Sequence, residues 1–367
     1  MTKRNVKSLY IHIPFCKHIC SYCDFCKMYY HEQLASQYLS SLEKEIKTYY
    51  QNDIIETLYI GGGTPSSLSK DRLIQLFNSL KIIKQSDNLE FSFEVNISDI
   101  TEELLLLLKH YQVNRISIGI ETVNDKFLTF LNRDHTKNDV YDKVMLTKKY
   151  FHNINVDFMY GFYGQTLQDV KEDLLFFKSL DVPHISIYSL ILEPNTKLFI
   201  DKTKPLEEEI ESEMYFYIIQ FLEELGYCHY EFSNFAKKGY ASKHNLTYWN
   251  NEFYYGFGLG AVGYIDHYRI TNTRSINHYN KGCYVLTKDY EDRDIEMSNE
   301  MILGLRKIKG VNMNQFILKY GQTIEEVFRI HDLVKQEVLK IEGDYLSINQ
   351  KYLYLSNQIL ERFIDIR

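Results

Sequence analysis

Six short runs rich in β-branched and aromatic residues recur in the first half of the chain, at 8–14, 57–63, 91–96, 115–120, 155–161 and 184–190. Between them lie longer stretches whose apolar positions repeat at helical spacing, at 33–50, 70–84, 101–111, 138–151 and 167–180. Strand and helix in alternation predict right-handed βαβ units and a parallel sheet. The runs are nearly all apolar, which suits strands covered on both faces. Six units are too few for the closed eight-stranded barrel. The α/β pattern therefore predicts an open, partial (β/α)6 TIM-type barrel with a lateral mouth.

Beyond residue 195 the pattern changes. A helix is predicted over 207–225, with an acidic start that complements the helix dipole. Residues 227–266 are rich in Gly, Asn and aromatics and predict loops and short strands. Helices follow over 297–305, 313–320 and 324–341. Then come a hairpin of 344–348 with 352–355 around Asn349 and Gln350, and a last helix over 358–366. This is a C-terminal helical, winged-helix-like domain. The expected division is a core over 1–235, a connecting segment over 236–290 and the C-terminal domain over 291–367.

Composition removes some function classes. A net charge of -7 argues against a general nucleic-acid binder, and Lys319, Arg329, Lys335 and Lys340 are interspersed with Glu325, Glu326 and Glu337. No nucleic-acid partner is expected. The leucines at 104–108 are bracketed by Glu102, Glu103 and Lys109, far short of the ~20 apolar residues of a spanning helix. The N-terminus carries basic residues but no long apolar region. The expectation is a cytoplasmic protein, not an integral membrane protein.

Polar signals cluster where the predicted strands end, the functional end of parallel α/β barrels. Four of the six cysteines, Cys16, Cys20, Cys23 and Cys26, lie within eleven residues, which reads as a metal site rather than a disulfide scaffold. Cys16-x-x-x-Cys20-x-x-Cys23 suits a [4Fe–4S] cluster held by three thiolates, whose open iron can take the amino nitrogen and carboxylate of S-adenosylmethionine (SAM). Zinc usually takes two separated CxxC pairs, and the second is missing. Cys26 reads as a fourth ligand, a free thiol or an exchange partner, with the non-ligand reading favoured because SAM needs the vacancy. Cys228 and Cys283 are expected to be buried thiols.

Gly62, Gly63 and Thr64 end the second strand, where missing Cβ atoms let backbone approach a ligand; a tight βα turn is the plainer reading. Glu94, Glu121 and Asp157 could bind ribose hydroxyls, and Arg133 the SAM carboxylate; each alone is more often a surface salt bridge. Tyr22 could pack beside adenine or simply fill its loop. Tyr10, on the first strand, joins these candidate cofactor-binding residues, while neighbouring His12 reads as a buried, hydrogen-bonded imidazole. His244-Asn245-Leu246-Thr247-Tyr248-Trp249 holds the only Trp. Imidazole ligates haem iron and aromatics pack on flat rings, although a lone His-Asn pair is usually structural.

With those residues in place the chain resembles radical SAM proteins of the oxygen-independent coproporphyrinogen III oxidase family. SLYIHIPFCKHICSYCDF, YIGGGTPS, EVN, RISIGIET, DFMYGFYGQT, YSLILEPNT, HNLTYWN and YYGFGLGAVG occur in the family's order. The resemblance implies that Cys16, Cys20 and Cys23 bind the cluster. It places Gly62, Gly63 and Thr64 near the methionine moiety, Glu94 and Glu121 near the ribose, Arg133 near the carboxylate and Asp157 near the adenosyl part. The chain departs from the family at Glu121, where Gln is usual, at Asn132, where Gly is usual, and at Phe162 and Tyr163, which replace Leu-Pro. The short segment before Cys16, Phe25 in place of a further Cys, and HNLTYW resemble the haem-chaperone branch. That branch implies haem as a third cofactor, with His244 as the candidate ligand, membrane respiratory haem proteins as recipients and an electron donor. The alternative is the oxidase itself, a coproporphyrinogen III dehydrogenase acting on a porphyrinogen.

Overall fold

The computed structural model describes residues 6–364; the basic residues at the start of the chain and the end of the last predicted helix lie outside them. The first half runs β1 (Ser8–Ile13), α1 (Glu32–Tyr49), β2 (Ile55–Gly62), α2 (Lys70–Ser79), β3 (Gln85–Asn96), α3 (Glu102–His110) and β4 (Arg115–Glu121). It continues with α4 (Asp125–Leu131), α5 (Lys137–Lys148), β5 (Asn153–Tyr160), α6 (Leu167–Leu180) and β6 (His184–Ser189). All six predicted strands and all five predicted helices are present. The extra helix, α4, has seven residues, too few to declare a helical period. Short polar side chains set where the crossover helices begin. Thr101, Thr136 and Thr166 each accept a backbone N–H in the first turn, and Asp139 and Asp169 return the bond to Thr136 and Thr166.

β1 to β6 are parallel neighbours in chain order. Their outward residues, such as Leu58, Phe93, Ile116, Ile118, Val156 and Phe158, are buried in the layer the helices cover. The inward face corrects the expectation of strands apolar on both sides. Arg115, Ser117, Gly119 and Glu121 of β4, Asn155 and Asp157 of β5, and Ser186 and Tyr188 of β6 all line one cavity. They recur at every second position, as side chains on one face of a strand must. A flat sheet could not aim five strands at a common space, so the sheet curls around it. Apolar layers normally fill such an interior; here a polar lumen takes their place.

The sheet remains open and gains strands at both edges. After α7 (Glu208–Glu224), β7 (Cys228–Glu231) and β8 (Asn234–Ala236) extend it antiparallel beyond β6. After α8 (Lys243–Trp249), β9 (Tyr254–Phe257) pairs parallel with β1. β10 (Val262–Ile265), β11 (Tyr268–Asn272) and β12 (Val285–Tyr290) continue antiparallel to a twelve-stranded sheet. Residues read as loops and short strands thus build one edge of the barrel. Glu45 of α1 locks this edge, accepting from the Gly258 amide at 2.9 Å and from Asn272 Nδ2 at 2.5 Å. Cys228 and Cys283, expected to be buried, are exposed: one starts the outermost strand and the other follows a short surface helix.

The C-terminal domain has α9 (Arg293–Gly304) and α10 (Met313–Tyr320), as broadly expected, and between them the unpredicted two-residue strand β13 (Val311–Asn312). The helix predicted over 324–341 is broken into Ile324–Val327 and His331–Lys335, and its end is strand β14 (Leu339–Glu342). β14 pairs with β15 (Tyr345–Ile348) around Gly343, not around Asn349 and Gln350. The reason is legible afterwards: Leu339 and Ile341 alternate with Lys340 and Glu342, a period of two. Residues 352–355 lie in a 3-10 turn, and the last helix is Ser356–Leu360. The domain docks through backbone pairs, Phe232 N to Arg306 O at 3.1 Å and Ile308 N to Tyr230 O at 3.2 Å. The Arg306 guanidinium also stacks near Trp249. Among the described residues no helix is long and apolar enough to cross a membrane.

β9 and β10 cross so closely that a Cβ on Gly256 would lie 2.0 Å from the Val262 carbonyl oxygen. Gly256→Ala must push the strands apart, and overpacking of this kind costs about 1–3 kcal/mol. Denaturant unfolding should show a loss of at least that size, and an unchanged midpoint would contradict the packing described.

Candidate functional site

A cavity of about 480 Å³ opens where β2 to β6 end. Of the thirteen candidate residues, eleven line it: Cys16, Cys20, Tyr22, Cys23, Gly62, Gly63, Thr64, Glu94, Glu121, Arg133 and Asp157. Tyr10 and His244 do not. The cysteine loop leaves β1 and closes through a two-residue parallel ladder, Phe15–Cys16 with Met28–Tyr29. Met28 N donates to Pro14 O at 2.7 Å and Tyr30 N to Cys16 O at 2.9 Å.

The three candidate ligands keep different company. Thr64 Oγ1 donates to Cys16 Sγ at 3.5 Å, and Arg133 Nη1 donates to Cys20 Sγ at 3.4 Å. Burial pushes the Cys16 thiol up to about 11 and raises Cys23 as well. Ionised sulfurs in this loop therefore need a strong local cation, which bound iron supplies. Among the described residues no three His, Cys, Asp or Glu side chains converge as ligands of one ion would. A cubane does not need such convergence, since it offers each sulfur its own iron. A Cβ on Gly63 would come within 2.9 Å of Cys16 Sγ, so the glycine leaves room beside the sulfur. Three soft donors, a glycine gap and an adjoining cavity fit a cluster with one open corner. Cys26 is not part of the cavity lining; it packs against Gly260, and its carbonyl accepts from His12 Nε2 at 2.7 Å. His12 is buried and hydrogen-bonded at both nitrogens, the second by Tyr10 Oη at 3.0 Å.

Three carboxylates face the lumen from consecutive strands. Glu94 accepts from Tyr59 Oη at 2.7 Å and from the Gly62 amide at 2.9 Å. Glu121 accepts from Tyr22 Oη at 2.9 Å and pairs with Arg133 at 3.0 Å. Asp157 accepts from Asn155 Nδ2 at 2.9 Å. Burial lifts Glu94 to about 7; for Asp157, burial and the nearby charges of Glu121 and Glu94 do the same. The backbone is shaped for this grouping. Glu121 has φ +67 at a register shift between β4 and β5, and such irregularities re-aim side chains. Asn132 caps α4 in the left-handed conformation, which Asn tolerates better than most residues with a Cβ, so it can stand where Gly is usual.

Arg115 was missed from sequence. It is 2% exposed, lines the cavity, and its Nε has no partner. Arg133 is committed to Glu121, so Arg115 is a second buried guanidinium near the three acids. With Glu94, Glu121 and Asp157 facing Arg133 and Arg115, the lumen turns acidic as Glu94 and Asp157 lose their protons, which suits a cationic ligand. The signal was the period-two series Arg115, Ser117, Gly119, Glu121; it was hidden because the intervening isoleucines dominate the run.

His244 stands behind the lumen. Its Nδ1 lies 2.8 Å from Thr57 Oγ1 and its Nε2 2.8 Å from Tyr248 Oη. Its amide donates to Glu90 at 3.0 Å, and the ring stacks on Tyr59 at 5.2 Å. Burial holds the imidazole down at about 3. Both ring nitrogens are engaged, so this geometry offers no free lone pair to haem iron. Tyr10 lies beside the same pair of rings, 6.1 Å from Tyr59 and 6.5 Å from His244. HNLTYW is a helix that braces the lumen wall, and of its residues Asn245 reaches the cavity.

Residues 10–177 match the Radical SAM superfamily and residues 292–354 match the HemN C-terminal domain. Heme chaperone HemW of Lactococcus lactis is 38% identical, over 97% of this chain and 97% of its own. The Bacillus subtilis protein of that name is also 38% identical, over 98% of this chain and 99% of its own. Coproporphyrinogen III oxidase (HemN) from Escherichia coli superposes with a TM-score of 0.86 at 20% identity, covering 98% of this chain and 90% of that one, which shows a shared fold. The chain belongs to the radical SAM superfamily and, within it, to the family of the HemW proteins. A [4Fe–4S] cluster and SAM are the cofactors of that superfamily.

Glu94 yields a stability test with a defined sign. Its folded-state value of about 7 lies above the ordinary 4.5, so the folded state holds a proton that the unfolded chain has released. Stability falls as pH rises from about 4.5 to about 7. Glu94→Gln removes this loss, and its stability relative to wild type should rise over that window by on the order of 1–3 kcal/mol. Denaturation at pH 5 and pH 7.5 checks it; a constant difference would refute a proton held on Glu94.

Proposed function

We propose that this chain is a haem chaperone that holds a [4Fe–4S] cluster, SAM and haem, and passes haem to respiratory haem proteins at the membrane. The observation that carries the reading is full-length identity of 38% to proteins named for that function. In this reading the protein works in the cytoplasm and takes electrons from a separate donor. When bound, the cluster supplies one electron and SAM a bond that such an electron can cleave.

The chain's own residues do the holding. Cys16, Cys20 and Cys23 bind the cluster from one loop. Gly62, Gly63 and Thr64 meet the SAM ammonium, and Arg133 its carboxylate. Glu94 and Glu121 accept from ribose hydroxyls, while Tyr22 and Asp157 flank the adenosyl part. The excess negative charge of the lumen balances SAM, whose sulfonium and ammonium outweigh its one carboxylate. The fold shared with HemN supports a second reading, oxidation of a porphyrinogen at the same site.

Anaerobically reconstituted protein should take up haem with a Soret shift and convert no coproporphyrinogen III at a catalytic rate. Rapid formation of protoporphyrinogen would favour the oxidase. SAM should bind several-fold more weakly at pH 6 than at pH 8, because Glu94 and Asp157 titrate near 7 and bind a cation worse once protonated. Arg115→Gln should move that loss to higher pH, and an identical profile in the variant would remove Arg115 from the charge balance.

A further inference from the structure

The geometry points to a positioning role for the bend Gly258-Leu259-Gly260, between β9 and β10: it clasps both stems of the cysteine loop and so sets the separations of the three sulfurs. The inference rests on Cys16, Cys20 and Cys23 as the cluster's ligands and on no other part of the proposed function. A cubane holds its thiolates at set distances from one another, so the loop that carries them needs its neck closed. α4 fastens the crown of the loop, through Ser21 N to Leu131 O at 3.0 Å and Asn132 Nδ2 to Ile19 O at 2.9 Å. Those bonds do not reach the stems.

The bend does. His12 stands four residues before Cys16, and Cys26 three residues after Cys23. A Cβ on Gly258 would lie 2.5 Å from the His12 carbonyl oxygen; one on Gly260 would lie 2.8 Å from Cys26 Cβ and 3.3 Å from its Sγ. His12 Nε2 in turn lies 2.7 Å from the Cys26 carbonyl oxygen, which closes the neck. Cys26 thus turns toward the sheet edge, while Cys16, Cys20 and Cys23 line the cavity. Arg274, just past β11, adds a bond from Nη2 to Asp24 O at 2.9 Å.

The bend is itself held in place. Gly258 and Gly260 have φ +105 and +70, conformations that glycine adopts without steric cost. Each of its three amides has an acceptor: Glu45 for Gly258 at 2.9 Å, Tyr38 Oη for Leu259 at 3.1 Å and Thr273 O for Gly260 at 2.9 Å. Tyr38 Oη donates onward to His12 O at 2.5 Å. Helix α1 therefore fixes bend and stem together, and a Cβ at either glycine would push a stem away.

The full chain, with its cluster rebuilt anaerobically, tests this by the rate at which the cluster's visible absorbance bleaches in air and by its EPR signal. Gly260→Ala should shorten the lifetime several-fold and broaden the signal. Adding Cys26→Gly, which removes the opposing Cβ, should restore most of both, although the thermal midpoint stays below wild type because Ala still sits at φ +70. Effects of the two substitutions that merely multiply, or a Gly260→Ala cluster as durable as wild type, overturn the clasp. Tyr38→Phe, which takes the hydroxyl from His12 O and the Leu259 amide, decides the matter if Gly260→Ala does not fold: its cluster should also bleach faster, and an unchanged lifetime overturns the clasp. A cluster that assembles undiminished in Cys20→Ser removes the loop as its seat and the inference with it, whereas an unperturbed Gly260→Ala cluster that still needs Cys20 removes only the clasp.

Discussion

The ion pair between Glu121 and Arg133 ties the cysteine loop to the barrel. Their side chains are 7% and 10% exposed, so neither charge is well solvated, and such a pair is tolerable only when its remaining donors and acceptors are engaged. Most are: Arg133 donates to Cys20 Sγ and to the Gly119 carbonyl, and Glu121 accepts from Tyr22 of the loop, while Arg133 Nε is left without a partner. One pair thus joins the end of β4, the end of α4 and two positions of the loop. Loss of either partner would leave a buried charge and free the loop that holds the sulfurs.

The polar lumen follows from the same constraint. A barrel filled with apolar layers would be more stable, but it would have no room for a charged cofactor. Here the six parallel strands turn their apolar residues outward to the helices and keep acids, the Arg115 guanidinium and amides inside. Burial makes these groups costly, and the raised values of Glu94 and Asp157 record that cost. The lumen is therefore built for a ligand that brings opposite charge.

The departures from the family pattern have local explanations. Asn132 adopts the left-handed conformation that Gly usually supplies. Phe162, in place of the usual leucine, is fully buried with Phe127, Leu131 and Met159 beneath the loop. Glu121 in place of Gln gives Arg133 a charged partner rather than a neutral one, making the link stronger and more costly to break.

The linear pattern by itself determined the βαβ core, because caps such as Thr136 and Thr166 and the apolar strand residues act locally. It also exposed the cysteine loop and the glycine run, whose spacing is itself the chemistry. Tertiary structure decided the rest. The edge strands β9 to β12 are too short to declare a period and exist because β1 and α1 offer them a surface. β14 broke a helix-like run because pairing with β15 outweighed weak helical spacing. Arg115 entered the site, and His244 stayed out of the cavity, because which face of a strand or helix meets the lumen depends on how the sheet curls. That curl arises from packing among residues far apart in sequence, and no short stretch of chain records it.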